Sequence, residues 1–247
     1  MRCLYFFLLL PVIVRSENLE FKYNFEWAFI TVASLSLNLN ESIYASSDTY
    51  TKDHQFTLST KGPLKLYRKY NAGGFVKQNE NGNKYSWNYY LQGYDRGMPE
   101  EKLIMYTENG TPHIITFIDD KGALPLTVDN YIDKNVIDPF SIILEMINQL
   151  NKENDCSNNF LIFDGKRRYR ANIEYINDKF KSQNKSHHCR ISIYDDMTSP
   201  SNKINIWPFN GTDKIIDIWF SGESLIKPVR LEIDTPIGKI IGKLSEN

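Results

Sequence analysis

Residues 21–39 have the sequence FKYNFEWAFITVASLSLNL, in which bulky apolar side chains alternate with mostly polar ones. The bulky residues stand at odd-numbered positions, where only Thr31 and Ala33 interrupt them. Successive side chains of a β-strand project to opposite faces. The pattern therefore predicts β-structure with one face of rings and aliphatic groups and one face in water. A surface this apolar has to be covered, and we expect the rest of the chain to cover it.

Length and composition restrict the possible classes of protein. The chain has 247 residues, enough for one β-rich domain or two small ones. Its net charge is −1, so no overall field indicates a nucleic acid or an acidic substrate. Aromatic residues make up 13% of the chain, and such residues favour strands.

The N-terminus has the features of a secretory signal peptide. Arg2 is followed by an apolar run at 4–14, too short to span a bilayer, and a small residue, Ser16, follows. We expect cleavage after residue 16, export to the periplasm and a single β-rich domain over residues 17–247. No later apolar run is long enough to span a membrane, so we predict a mature chain without a transmembrane segment.

Two helices are predicted among the strands. Asp138-Pro139 is a favourable helix start, and the apolar residues that follow it have helical spacing, which predicts an amphipathic helix over 138–150. A short helix is predicted near 63–70, ended by Gly73-Gly74. Asn109-Gly110 and Asp164-Gly165 are typical of tight turns between strands. The predicted fold is mainly β: an antiparallel, incompletely closed β-barrel or strongly curved sheet, with the 138–150 helix packed in or on it.

Two cysteines remain after removal of the signal peptide, Cys156 and Cys189. An even number of cysteines in an exported chain favours a disulfide. The chain-entropy model gives such a bond a stabilisation of about 3–4 kcal/mol for a loop of this size.

No motif indicates catalysis, a metal or a cofactor. His187-His188-Cys189 has no zinc-site spacing, and the chain lacks Gly-x-Ser-x-Gly and a phosphate-binding glycine loop. We therefore expect a protein that is not an enzyme, with no metal and no cofactor.

The candidate ligand-binding residues come from a basic cluster and from the aromatic positions. Lys166, Arg167, Arg168 and Arg170 follow the Asp164-Gly165 turn, where guanidinium groups suit an anionic headgroup. The cluster also fits a solvated hairpin whose charges protect a sheet edge. Trp27 and Trp87 are the aromatic candidates for a cavity lining, although such residues more often form core.

Several stretches together are similar to a known family. They are Phe25-Glu-Trp-Ala-Phe, Asp138-Pro-Phe-Ser, Cys156 followed by Phe163-Asp-Gly-Lys-Arg-Arg-Tyr169, Cys189, Ile218-Trp-Phe-Ser and Pro228-Val-Arg-Leu. The chain resembles an uncharacterised exported bacterial family, the domain of unknown function 3108, particularly its alphaproteobacterial branch. The resemblance spans nearly the whole mature chain and implies a periplasmic or envelope protein with no established activity.

Three functions follow from these observations. The first is a non-enzymatic envelope protein that binds a lipid or another apolar molecule in a cavity of at least about 300 Å³. The second is an envelope protein that recognises a protein or polysaccharide through an exposed aromatic patch, with Trp207 and Phe209 as candidates. The third, and the least supported, is a hydrolase of envelope polymers, which would need two converging carboxylates or a histidine beside a nucleophile.

Overall fold

The strands of the protein form one extended sheet in the computed structural model. The structure describes residues 19–39, 54–78, 84–95, 98–119, 122–125, 135–165, 168–176, 186–195, 215–222, 226–235 and 238–245. The elements along the chain are β1 (Leu19–Trp27), β2 (Ile30–Leu39), β3 (His54–Thr60), α1 (Leu64–Tyr67), β4 (Arg68–Gln78), β5 (Lys84–Asp95), β6 (Met98–Tyr106), β7 (Pro112–Asp119), β8 (Gly122–Pro125), β9 (Val136–Ile137), α2 (Ser141–Glu153), β10 (Asn158–Phe163), β11 (Arg168–Ile176), β12 (Ser186–Asp195), β13 (Ile215–Ser221), β14 (Lys227–Thr235) and β15 (Gly238–Leu244).

The strands form an antiparallel meander. The first and last strands of the chain pair with each other in the middle of the sheet. Strand β1 pairs with β2 on one side and with β15 on the other. Strands β2 to β8 extend the sheet in one direction, the chain then crosses to β9 at the opposite edge, and β10 to β15 lead back to β1. Among the strands that the structure describes, only β9 and β10 pair in parallel. Among the described residues no strand ladder joins the edges at β8 and β9, so the sheet is not closed, and the predicted fold class is confirmed.

Hydrogen bonds outside the strand ladders join the two halves of the sheet near its open side. The backbone amides of Asn135 and Val136 donate to the carbonyls of Asn109 and Gly110, at 2.8 and 3.2 Å. Gly110 has a φ of +70°, which glycine adopts without steric cost, and it lies in a loop of residues 107–111 that is longer than the predicted two-residue turn. The turn between β6 and β7 is therefore fastened to the residues that lead into β9. We call this junction the seam.

Helix α2 packs on the inner face of the sheet, the face that carries the buried residues Tyr23, Leu37 and Phe56. Phe140, just before the helix, stacks on Phe56 with 4.4 Å between ring centroids. The helix begins at Ser141 rather than at residue 138, because residues 139 and 140 form a turn.

The buried surface of α2 is wider than the apolar stripe predicted from helical spacing, which consists of Phe140, Ile143, Leu144, Ile147 and Leu150. Ile142 and Met146 are buried outside that stripe, whereas Ile143 is only half-buried. A helix enclosed by a curved sheet is contacted on more than one side, and for this reason a single apolar stripe underestimates its buried surface.

The stretch at 21–39 forms a hairpin with a bulge. Its turn is Ala28-Phe29, and Trp27 pairs with Ile30. The register shifts between Phe25 and Glu26. Val32 is the extra residue of the bulge, which turns this even-numbered side chain into the core. The expectation that every bulky odd-numbered residue faces the core is wrong at Phe29, which is fully exposed.

The short predicted helix is a single turn, and its predicted stop signal has another role. Helix α1 covers Leu64–Tyr67, and Gly73 and Gly74 lie inside strand β4. A Cβ atom at Gly73 would stand 2.6 Å from the carbonyl oxygen of Phe56, and one at Gly74 would stand 2.6 Å from the Phe56 ring. Glycine is required here by the close approach of neighbouring groups, not by a helix end.

Candidate functional site

A small apolar cavity lies between α2 and the inner face of the sheet. Its volume is about 20 Å³, room for about one water molecule. The residues that line it come mainly from β1 to β3, β14 and the start of α2: Tyr23, Phe25, Leu35, Leu37, Phe56, Phe140, Ile143, Pro228, Arg230 and Leu231. Sites for small molecules have volumes from about 300 Å³ upward. In this conformation the cavity has no room for an acyl chain.

Tyr23, one of the residues that line this cavity, has a buried hydroxyl group. Tyr23 is buried, and within the described part of the chain its hydroxyl has no hydrogen-bond partner. Burial raises the pKa of this hydroxyl well above its ordinary value, so the group stays neutral.

A buried polar cluster fixes the start of α2 against β5. One carboxylate oxygen of Asp138 accepts the amides of Phe140 and Ser141 at 2.8 and 3.1 Å. The other accepts the hydroxyl of Ser86 at 2.7 Å and also that of Ser141. Burial raises the pKa of Asp138, against the opposing effect of these four hydrogen bonds. The cluster contains no histidine, and its arrangement is that of a helix cap joined to a strand.

Two of the basic residues predicted as a ligand site, Arg168 and Arg170, belong to the described residues. Arg168 is half-buried and Arg170 is exposed on β11, on the face opposite to the buried Tyr169 and Ala171. Neither arginine lines the apolar cavity. Lys166 and Arg167 lie outside the described residues. The headgroup site expected at the basic cluster stays a prediction.

The two tryptophan candidates have different positions. Trp27 is half-buried at the end of β1, close to the turn formed by Ala28 and Phe29. Trp87 belongs to β5, but its side chain lies outside the described part of the structure. Trp27 does not line the apolar cavity.

The predicted disulfide is present. Cys156 and Cys189 are joined, with sulfur atoms 2.01 Å apart, and both residues are fully buried. The bond links the segment after α2 to β12. Among the described residues no cluster of histidine, cysteine and carboxylate side chains could hold a metal ion.

A polar ladder that the sequence did not reveal covers the outer face of β12 to β14. His188 stacks on Trp219 with ring centroids 4.4 Å apart, and it meets Asp217 at 2.8 Å. Arg190 binds the same carboxylate at 2.9 Å. Burial alone would raise the pKa of Asp217, but the hydrogen bonds from Arg190 and His188 outweigh it and the pKa is lowered. The ladder is an ion-paired cover for the sheet, and its groups are engaged with one another.

The turn between β1 and β2 is the most exposed apolar feature of the described residues. Phe29 is 100% exposed and Ile30 is 44% exposed. Ala28 and Phe29 have φ angles of +46° and +67°, the left-handed region that favours glycine and asparagine. We call Ala28, Phe29 and Ile30 the β1–β2 tip. Sequence analysis missed it because Phe29 is in phase with the buried residues, although 19 alternating residues exceed the usual length of one strand.

Comparisons with known proteins leave the family open. No protein-family model matches the chain, and no curated protein matches it. The resemblance to domain 3108 therefore stays a prediction. Neither helix of the described residues has the length and apolar content that crossing a bilayer requires. Among solved structures, the chain is similar to one described as a β-barrel-like protein of domain of unknown function 1849 from Brucella abortus. The identity is 12%, the match covers 93% of this chain and 95% of that one, and the TM-score is 0.44.

Proposed function

We propose that this chain is an exported, non-enzymatic protein of the cell envelope that attaches reversibly to an anionic lipid surface through the β1–β2 tip. The observation that carries the proposal is the complete exposure of Phe29 at the end of a hairpin. In water, a fully exposed phenylalanine and a half-exposed isoleucine contribute no hydrophobic stabilisation. Both side chains gain free energy when they enter an apolar phase.

The backbone of the tip supports a functional reason for these residues. A non-glycine residue in the left-handed region costs about 1–2 kcal/mol, and the tip has two of them in succession. Two-residue hairpin turns with this geometry favour Asn-Gly or Asp-Gly. Ala28 and Phe29 therefore weaken the turn, and strain of this kind is concentrated at functional positions.

The charges next to the tip favour an anionic surface. The turn at residues 61–65 lies beside the tip: the amide of Lys61 donates to the carbonyl of Val32 at 2.7 Å, and a Cβ atom at Gly62 would stand 3.7 Å from Ile30. Lys61 and Lys65 in this turn are both exposed. Lysines flanking an apolar tip give the arrangement that interfacial segments use on anionic lipids.

The basic cluster of β11 is compatible with the same role. Because the strands from β11 to β1 pair in antiparallel order, β11 begins at the sheet end where β1 finishes. Arg168 and Arg170 are in the first three residues of β11 and therefore belong to this end of the sheet. They are candidates for a wider contact with headgroups around the tip.

A lipid surface accounts for the exposed tip better than an enclosed lipid does. The cavity of about 20 Å³ cannot contain a chain, whereas the tip needs no cavity. Burial of Phe29 would contribute about 1.5–3 kcal/mol and two lysines about 1 kcal/mol each, which corresponds to roughly millimolar affinity. The expected attachment is therefore weak and reversible.

Flotation with vesicles tests the proposal. We expect the protein to bind vesicles of phosphatidylglycerol mixed with phosphatidylcholine, and to bind pure phosphatidylcholine more weakly. Phe29→Asp should abolish the binding, and Lys61→Glu with Lys65→Glu should lower it and reduce its dependence on salt.

The matched control removes an exposed apolar side chain elsewhere. Leu103 on β6 is 41% exposed, and Leu103→Ser should bind vesicles as the parent does. Equal binding by the parent and by Phe29→Asp would refute attachment through the tip.

A further inference from the structure

A second candidate site lies on the outer face of β4 to β6, and it differs in character from the β1–β2 tip. It is a cleft of about 290 Å³, close to the lower bound for sites that hold small molecules. Its walls carry amide, carboxylate and ammonium groups together with one exposed ring, that of Tyr94. We propose that this cleft binds a neutral saccharide. The proposal is independent of attachment to lipid.

The register of the sheet assembles the cleft from three strands. Buried residues at alternate positions, among them Ala72, Tyr89 and Ile104, define the inner face of these strands. The side chains between them project outward. Cross-strand pairing sets the outward residues in two adjacent rows: Lys69, Tyr94 and Pro99 form one, and Asn71, Gln92 and Glu101 form the other.

The ring of Tyr94 provides a platform. Its side chain is 50% exposed, between the exposed residues Lys69 and Pro99 of the neighbouring strands. The face of an aromatic ring carries partial negative charge, which attracts the slightly positive C–H groups on the flat side of a pyranose. A sugar ring lying on Tyr94 would turn its hydroxyl groups outward, toward the polar side chains around it.

Those polar side chains are available for hydrogen bonding. Within the part of the chain that the structure describes, the side chains of Lys69, Gln92 and Glu101 take part in no hydrogen bond or ion pair. Lysine only donates, the carboxylate only accepts, and glutamine does both. A sugar hydroxyl also donates and accepts, so a vicinal pair of hydroxyls can use all three groups at once.

Other ligand classes fit the cleft less well. An anion would face Glu101, and a cation would face Lys69. Glu100 also lines the cleft, but its carboxylate is already held by Lys102 at 3.0 Å and by the hydroxyl of Tyr70 at 3.1 Å, both residues of the inward-facing rows. Glu100 and Glu101 are consecutive strand residues that project to opposite faces, which does not favour two carboxylates converging on one glycosidic bond. A neutral, hydroxyl-rich ligand that binds without being cleaved satisfies all the groups.

Saturation-transfer NMR with chitin and maltose oligosaccharides tests the site. We expect signals from at least one of these neutral probes with the purified parent protein. Tyr94→Ala and Gln92→Ala should each weaken the binding by about tenfold, the effect of about 1.4 kcal/mol.

The control is Tyr194→Ala. Tyr194 is 54% exposed on β12, so this variant removes an equally exposed tyrosine from a distant part of the sheet and should bind as the parent does. Absence of binding to every probe by the parent, or an unchanged affinity in Tyr94→Ala, would overturn the proposal. Circular dichroism spectra of all variants should coincide, because each replaced side chain is on the surface.

Discussion

The turn between β6 and β7 and the turn between β1 and β2 both contain left-handed backbone, but they differ in the residues that adopt it and in the exposure of those residues. In the first, Gly110 is buried with a φ of +70°, and its carbonyl accepts the amide of Val136. In the second, Ala28 and Phe29 have positive φ angles, and the Phe29 side chain is fully exposed. The first turn has the residue that its geometry requires. The second has residues that its geometry disfavours.

The comparison distinguishes a residue that the fold requires, Gly110, from one that it does not require, Phe29. Glycine adopts a positive φ without steric cost, and at Gly110 there is also no space for a side chain, because a Cβ atom would stand 2.7 Å from the carbonyl of Val136. No packing explains Phe29. Changes at the seam should therefore alter stability, and changes at the β1–β2 tip should alter binding.

The largest effect is expected at Asp138, which fastens the start of α2 beside the seam. Asp138→Ala removes a helix cap and the carboxylate that accepts the buried hydroxyls of Ser86 and Ser141, so that at most one of the two can still donate to the other. We expect a loss of about 3–5 kcal/mol of unfolding free energy, measured by urea denaturation. A loss under about 1 kcal/mol would contradict the assigned role. Vesicle binding at low temperature, where the variant is folded, should not change.

The matched substitution Asp138→Asn isolates the charge and predicts a pH dependence. Burial raises the pKa of Asp138 in the folded protein above its ordinary value of 3.8. The folded state therefore binds a proton at this carboxyl group more tightly than the unfolded state does. The contribution of the proton to stability is complete below about pH 3.8 and is lost as the pH rises through the raised value. The stability of the parent relative to Asp138→Asn should therefore fall with rising pH in this window. A difference that is constant with pH would show that the carboxyl is not perturbed.

The next effect tests the two turns directly. Gly110→Ala forces a side chain into a left-handed position against Val136, and should cost about 1–3 kcal/mol. Phe29→Ala at the other turn removes no packing and should stay within about 0.5 kcal/mol of the parent. Thermal unfolding of both variants measures the contrast. Similar losses in the two variants would mean that the β1–β2 tip also supports the fold.

The sequence predicted the architecture better than the candidate sites, and particular residues show why. Alternation identified the strands, and the cysteine count identified the bond between Cys156 and Cys189, since both are local or compositional signals. The bulge at Val32 changes the phase of the pattern by one residue, and only the pairing of β1 with β2 reveals it. Phe29 was therefore assigned to the core.

The saccharide cleft was beyond prediction for a different reason. Asn71, Gln92 and Glu101 are separated along the chain and become neighbours only through the register of three strands. Each residue alone has the character of an ordinary solvated strand position. A period of two identifies the outward face, but the sequence does not state which outward residues stand side by side.

A smaller effect, with the opposite sign, is expected when the β1–β2 tip receives the residues that its backbone prefers. Ala28→Asn with Phe29→Gly should stabilise the protein by about 1–2 kcal/mol, because both new residues accept a positive φ. The same variant should lose vesicle binding. Guanidinium denaturation measures the stability of the variant, and flotation of the same preparation measures its vesicle binding. Retained vesicle binding in this variant would show that binding does not depend on the Phe29 side chain. It would also refute the functional reason proposed for the strained turn.

The smallest effects are expected from two tyrosine-to-phenylalanine substitutions that differ only in the partner of the hydroxyl. Tyr106 donates to the carbonyl of Phe163 at 2.9 Å across the sheet's open side, so Tyr106→Phe leaves a buried carbonyl without this donor. We expect a loss of about 1 kcal/mol.

Tyr23 lines the cavity of about 20 Å³ and has a buried hydroxyl with no partner among the described residues. Tyr23→Phe removes a polar group from an apolar site, and should be neutral or stabilise the protein by up to about 1 kcal/mol. Chemical denaturation of the parent and of both variants measures whether each substitution raises or lowers the free energy of unfolding. A loss in Tyr23→Phe equal to that in Tyr106→Phe would contradict this expectation and show that the Tyr23 hydroxyl is hydrogen-bonded in solution.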